Sequence, residues 1–230
     1  MLQNLTFEKR ISLDVYSDIV CPWCYIGLKR LEAAKSMVPD DVAVDLTWRA
    51  YQLDPTVPAG GHDYHAHMQA KFGGKNAVDA KFDQVRETGK SVGIQFNFLA
   101  IKIAPNTLNA HRLIRHAADN KVLQDAVVKR LFQAFFEEGQ DIGDISVLGD
   151  IAAQCGLIAA DIELMLEGDD YRGEVQTEIN NAARLGISGV PCFIFEQKYA
   201  VSGAQAPETL ANAIAQIAEA KASGQLESLV

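Results

Sequence analysis

The stretch "DIVCPWCYIGLKRLE", Asp18–Glu32, holds two of the chain's four cysteines, Cys21 and Cys24, three positions apart. Just before it, "ISLDVYS" (Ile11–Ser17) alternates apolar Ile11, Leu13 and Val15 with polar neighbours, as a half-buried strand does. After it, Trp23, Ile26, Leu31, Ala34 and Met37 are spaced for one helical face, Lys29, Arg30 and Lys35 for the solvated one, and Pro39 marks the exit. The cysteine pair therefore falls at a strand-to-helix junction.

That position is chemically specific. With Cys21 at the N-cap, Pro22 occupies the first helical position, where its missing N–H costs nothing and its fixed φ suits the helix. The unpaired N–H groups and positive dipole end of the first turn then favour a thiolate on Cys21, the species that attacks disulfides. Cys24, one turn on, is placed to resolve the mixed disulfide. A zinc site needs more ligands, and Cys155 and Cys192 are too far apart to form a second C-x-x-C. The Pro22-Trp23 spacer has no histidine to stabilise the thiolate by charge, and a facing Asp18 carboxylate would oppose it. The expected poise is near the glutaredoxin value of about −200 to −230 mV rather than the DsbA value of about −120 mV.

Working outward, "VAVDLTWRAYQL" (Val42–Leu53) reads as a second strand, followed by a breaker-rich connection at Pro55, Pro58, Gly60 and Gly61. Residues 60–186 read as almost wholly helical, with Leu123, Val127, Leu131 and Phe135 at four-residue steps. Sheet character returns in "VPCFIFEQKYAVSG" (Val190–Gly203) as two short runs about a Gln197–Lys198 turn. Pro207 then opens a last helix with Leu210, Ile214 and Ile217 inward. The order is βαβ, helices, ββα.

With 48% hydrophobic residues the chain can bury a sizeable core, and 21 basic against 30 acidic side chains, net −9, disfavour nucleic acid or an anionic membrane as partner. The N-terminal "MLQNLTFEKRISLDVY" lacks the apolar core of a secretory signal, and no run is long enough to span a bilayer. A cytoplasmic location is expected, where a close cysteine pair is catalytic or metal-binding more often than structural.

In "GISGVPCF" (Gly186–Phe193), Pro191 immediately precedes an apparent strand. Two accounts fit: a trans-proline starting an edge strand, or a cis Val190–Pro191 bond turning backbone polar groups toward a passing substrate. The combination "DIVCPWCYIG", "WRAYQLDP", "NTLNAHRL", "GISGVPCFIF" and "YAVSGAQ" resembles the FrnE-like branch of the DsbA-type thioredoxin-fold oxidoreductases over most of the chain. The resemblance implies an α/β thioredoxin fold interrupted by a large all-helical insertion. Residues 1–58 would carry the βαβ part and the Cys-Pro-Trp-Cys motif, 59–186 the insertion and return helix, and 187–230 the ββα part. It also implies that Cys21 is the exposed nucleophile, Cys24 its buried partner and Pro191 a cis-proline facing them, with Pro22, Trp23, Val190 and Pro191 contacting substrate.

The expected activity is thiol-disulfide exchange with a disulfide-containing protein or a small thiol or disulfide. No bound cofactor is expected, and glutathione enters only as a co-substrate. The same fold class includes glutathione-dependent isomerases and transferases, similar to the 2-hydroxychromene-2-carboxylate isomerases, which usually have serine in place of the first cysteine. Cys21 argues against that reading, while "SGAQ" (Ser202–Gln205) lies where those relatives hold part of glutathione. A non-catalytic binding module is the third reading, based on "GHDYHAH", where His62 and His65 would share a helical face without a third ligand. Cys192, where relatives usually carry an aromatic or aliphatic residue, is read as a small core hydrophobe pointing away from the sulfurs, and Cys155 as packing. "NTLNAHRL" reads as the start of a helix capped by Asn106 or Thr107 after Pro105; the resemblance implies that this end approaches the active site, which makes His111 a candidate modulator of the thiolate.

Overall fold

The computed structural model describes residues 9–226; the outer ends of the first and last segments, with the first half of the N-terminal stretch read for a signal, lie outside the described residues. Strand β1 (Lys9–Ser17) leads into α1 (Pro22–Lys35) and back to β2 (Val42–Ala50), which pairs with β1 in parallel. After the insertion, β5 (Cys192–Phe195) lies antiparallel to β1, β6 (Tyr199–Ser202) pairs antiparallel with β5, and α9 (Pro207–Ala222) closes the fold. The sheet order β2-β1-β5-β6 is the four-stranded arrangement of a thioredoxin fold.

Between β2 and β5 run a two-residue strand β3 (His62–Asp63), α2 (Tyr64–Phe72), α3 (Lys75–Lys90), a second two-residue strand β4 (Ile103–Ala104) and α4 (Leu108–His116). They are followed by α5 (Lys121–Phe136), α6 (Ile145–Gln154), α7 (Ala159–Glu167) and α8 (Arg172–Arg184). The antiparallel β3–β4 ladder interrupts the expected all-helical segment. His62 lies in β3 because the Asp63 side chain accepts from Ala66 N (2.8 Å) and starts α2 at Tyr64, so His62 and His65 do not share a helical face. His62 instead stacks on His67, with ring centroids 5.3 Å apart.

Other boundaries also differ from the sequence reading. Ser36 terminates α1, leaving Met37 exposed rather than on the apolar face. Strand β2 ends at Ala50, paired with Ser17 at the last position of β1; Tyr51 N donates to Ser17 O (3.1 Å) as the final bond of that ladder. The β5–β6 turn is centred on Glu196 and Gln197, whose φ values are both positive, with Lys198 N donating to Phe195 O (3.0 Å).

The sheet's period of two divides the core. Ile11, Leu13, Val15, Phe193 and Phe195 face α1 and α9 in the main cluster, whereas Tyr16, Cys192 and Ile194 form a smaller cluster with Ala182 of α8. Two contacts among those that fasten the insertion to the βαβ unit involve α5. Buried Gln124 accepts from Trp48 N and donates to Trp48 O (both 3.1 Å), pairing the outer edge of β2 as a neighbouring strand would. Tyr25 of α1 stacks on Phe132 of α5 (centroids 5.1 Å apart) and donates to Glu137 Oε1 (2.6 Å).

Candidate active site

The end of β1 places the dithiol. Cys21 N donates to Asp18 O (3.0 Å), closing a turn that sets Cys21 at the N-cap of α1 with Pro22 behind it. All four cysteines are free thiols. The Cys21 thiol donates to the Val190 carbonyl, with Sγ 3.6 Å from the oxygen, so the loop before β5 lies over the nucleophile candidate. The Val190–Pro191 peptide is cis. Cys21 is 5% exposed, a correction to its reading as an openly exposed residue: the 189–190 segment shares with it the walls of one cavity, which takes the place of open solvent.

Cys24, 1% exposed, lies one turn inside. Burial, followed by the neighbouring Cys21 sulfur, pushes its thiol well above the ordinary cysteine value. The Ser17 hydroxyl, which has no other hydrogen-bond partner, and the Asp18 backbone act in the opposite direction. The two cysteines thus occupy different environments: one borders a cavity and the other stays protonated in the core. Trp23 is half-buried and borders the same cavity as Cys21, Pro22 and Val190.

Asp18 is the buried carboxylate of this end of the sheet. Its Oδ2 accepts from Leu53 N (2.7 Å), and Oδ1, which has no hydrogen bond, lies 3.5 Å from His111 Nε2. His111 Nε2 is 3.0 Å from Tyr51 O; a carbonyl only accepts, so that nitrogen carries the hydrogen. His111 therefore meets Asp18, the residue whose carbonyl closes the dithiol turn. Asn106 Oδ1 accepts from Leu108 N (2.9 Å) at the start of α4, while the Thr107 side chain makes no cap bond.

Cys192 pairs in register with Tyr16 and Ser202, and its buried side chain belongs to the cluster on the opposite sheet face from Cys21 and Cys24. Cys155 ends α6, remote in the fold, and burial pushes both of these thiols up. Ser202 O accepts from the Gln205 side chain (2.7 Å), and Gly203 N donates to Pro191 O (2.8 Å), so the "SGAQ" segment braces the proline loop. Among the described residues no three His, Cys, Asp or Glu side chains cluster as metal ligands.

Sequence reasoning missed Arg112. Fully buried, it spends all five donors: Nε on Asp170 O (2.7 Å), Nη1 on Leu166 O (2.9 Å) and Asn109 Oδ1 (3.0 Å), and Nη2 on Met165 O (2.8 Å) and Gly168 O (2.7 Å). It caps the end of α7 and fixes α4, the helix that carries His111. No signal within α4 marks it, because the carbonyls it binds lie at the end of α7 and just after it.

The profile of the DSBA-like thioredoxin domain matches residues 12–215. The uncharacterized protein YwbO of Bacillus subtilis (strain 168) is 28% identical over 185 residues, which are 80% of this chain and 86% of that protein. The crystal structure of the probable DsbA oxidoreductase SCO1869 from Streptomyces coelicolor superposes with a TM-score of 0.82 at 27% identity, covering 94% of this chain and 91% of that one. The cytosolic disulfide reductase DsbM from Pseudomonas aeruginosa, solved with GSH, shares the fold at a TM-score of 0.53 and 21% identity, covering 94% and 99% of the two chains. Among the described residues no helix is long and apolar enough to cross a membrane.

Proposed function

Because the chain belongs to the DSBA-like thioredoxin domain family, we propose that it is a FrnE-like thiol-disulfide oxidoreductase working through Cys21 and Cys24. The observation that carries this reading is the asymmetry of the pair. Cys21 caps a helix at the edge of a cavity with Sγ 3.6 Å from the Val190 carbonyl, whereas Cys24 is buried behind it with its thiol pushed up.

In the reducing direction, the Cys21 thiolate attacks one sulfur of a substrate disulfide, forming a mixed disulfide and releasing the first thiol. Cys24 then gives up its proton and attacks Cys21, releasing the second thiol and leaving a Cys21–Cys24 disulfide. Desolvation disfavours the Cys24 thiolate until a mixed disulfide is in place beside it, so the pair does not compete for substrate. Pro22, Trp23 and Val190 line the cavity that Cys21 borders and would contact the substrate; Pro191 is buried behind Val190 against Gly27, and would act on the substrate through the position of the Val190 carbonyl. A cytoplasmic setting, with glutathione as co-substrate, suits a close cysteine pair that exchanges disulfides rather than stapling the fold.

The test is reduction of insulin and glutathione disulfide. Cys21→Ser abolishes it, and Cys24→Ser accumulates mixed disulfides on Cys21 that mass spectrometry detects without reductant. Preferential alkylation of Cys24 over Cys21 at neutral pH would reverse the assignment.

A further inference from the structure

A cavity of about 420 Å³ begins at the dithiol and runs into the helical insertion. Cys21, Trp23 and Val190 border one end. Tyr64, Phe82, Phe98 and Phe135, all buried, border the other, where they belong to a continuous aromatic cluster: Phe82 stacks on Phe98 with centroids 4.2 Å apart. Met68 and the part-exposed Phe72 of α2 complete the wall. The volume corresponds to roughly fourteen waters at about 30 Å³ each, and falls within the ~300–1,000 Å³ range of small-molecule pockets.

Two features decide what such a space takes. A thiolate attacks a disulfide along the S–S axis, and Cys21 is only 5% exposed, so the attacked disulfide must itself enter the cavity. The charged side chains on the walls, Asp18, Asp54, Lys71 and Lys81, cancel in formal charge. Selection there falls to apolar area and ring faces rather than to net charge. Burial keeps the Tyr64 phenol protonated, so its ring enters the wall as a neutral one, beside the polar but uncharged Gln84 and Thr107.

We propose that this cavity is the substrate pocket of the dithiol and takes the aromatic or branched apolar body of a low-molecular-weight disulfide, so that the insertion selects such compounds over hydrophilic disulfides. The proposal rests on Cys21 being the nucleophile and names the substrate class of that same site. The reduced pair passes two electrons to one RSSR: the first attack forms Cys21–S–S–R and frees one thiol, and the second forms the Cys21–Cys24 bond and frees the other. The two protons of the dithiol end on the two product thiols.

The experiment is single-turnover stopped flow of the reduced, full-length protein. The probes are 4,4′-dithiodipyridine, which is aromatic and uncharged, 2-hydroxyethyl disulfide, which is hydrophilic and uncharged, and insulin. Each rate constant is divided by that of dithiothreitol with the same probe, which removes intrinsic reactivity. The expected result is a normalised preference of about tenfold or more for the aromatic probe, the gain from burying roughly two methylene equivalents. Met68→Glu, and independently the rim variant Phe72→Glu, reduce that ratio toward one. Equal normalised rates in the wild-type protein, a preference for insulin, or a ratio retained in both folded variants overturns the pocket while leaving Cys21 as nucleophile. Absence of exchange with every probe instead removes the redox reading on which the pocket rests.

Discussion

Gly27→Ala puts a single methyl group between the helix that carries the dithiol and the proline loop. A Cβ at Gly27 meets Pro191 Cγ at 2.9 Å, with Phe193 Cζ and Pro191 Cβ both at 3.5 Å. Carbon pairs are most stable at about 3.5–4.0 Å, so the first contact is short by roughly 0.6 Å or more, against a ring that cannot rotate away. Overpacking of this kind costs about 1–3 kcal/mol, and the change from glycine to alanine inside a helix returns about 1 kcal/mol. The net effect is a loss of about 0–2 kcal/mol, or a Tm lower by up to about 8 °C for a chain of this size.

The strain is relieved by moving Pro191, and with it the Val190 carbonyl that accepts from Cys21, so disulfide exchange slows even where stability changes little. Gly173→Ala in α8 is the control, because nothing lies within 4 Å of its Cβ; the same exchange of residues there is neutral or stabilising. Thermal melts and insulin-reduction rates of the two variants measure both quantities. If Gly27→Ala melts no lower than Gly173→Ala and keeps the wild-type exchange rate within twofold, the contact does not position the loop and the reasoning fails.

Further outcomes follow from the buried groups. Arg112→Met leaves carbonyls at the end of α7 without donors and is expected to cost about 3–5 kcal/mol by urea denaturation; Arg112→Lys recovers only part of that, since an ammonium cannot reproduce the fork. For Cys24 the folded value is raised, so its stabilising contribution is complete below the unfolded cysteine value of about 8.5 and is lost as pH rises toward the folded value. Reduced wild-type protein should therefore lose stability more steeply between pH 8 and 10 than reduced Cys24→Ala, by at most about 1.4 kcal/mol per pH unit; parallel curves would contradict the burial argument. Cys192→Ala should leave insulin reduction near wild type and remove no peroxide-induced crosslink; a Cys21–Cys192 disulfide found by peptide mapping would make Cys192 a redox residue.

What the sequence made legible was local. Alternation marked β1 and β2, proline marked the starts of α1 and α9, and the C-x-x-C reads as chemistry because its neighbours are a strand and a helix. The positions that resisted reading depend on distant partners. An arginine on a short helix reads as solvated, and nothing near Arg112 announces four carbonyls more than fifty residues away. Ser36 and Asp63 decide where α1 ends and α2 begins through turn and cap geometry, which apolar spacing does not encode. The family resemblance implied an exposed Cys21; the 189–190 segment, brought alongside by the pairing of β5 with β1, walls it in. The cavity beside it is assembled from the ends of several insertion elements and has no periodic signature at all.

The most direct measurement is a redox titration of the protein in glutathione buffers, read by alkylation and peptide mapping of all four cysteines. The account predicts one reversible two-electron transition, confined to a Cys21–Cys24 disulfide, with a midpoint of about −200 to −230 mV. Oxidation that instead joins Cys155 or Cys192, or a Cys21–Cys24 pair that stays reduced throughout the titration, contradicts it.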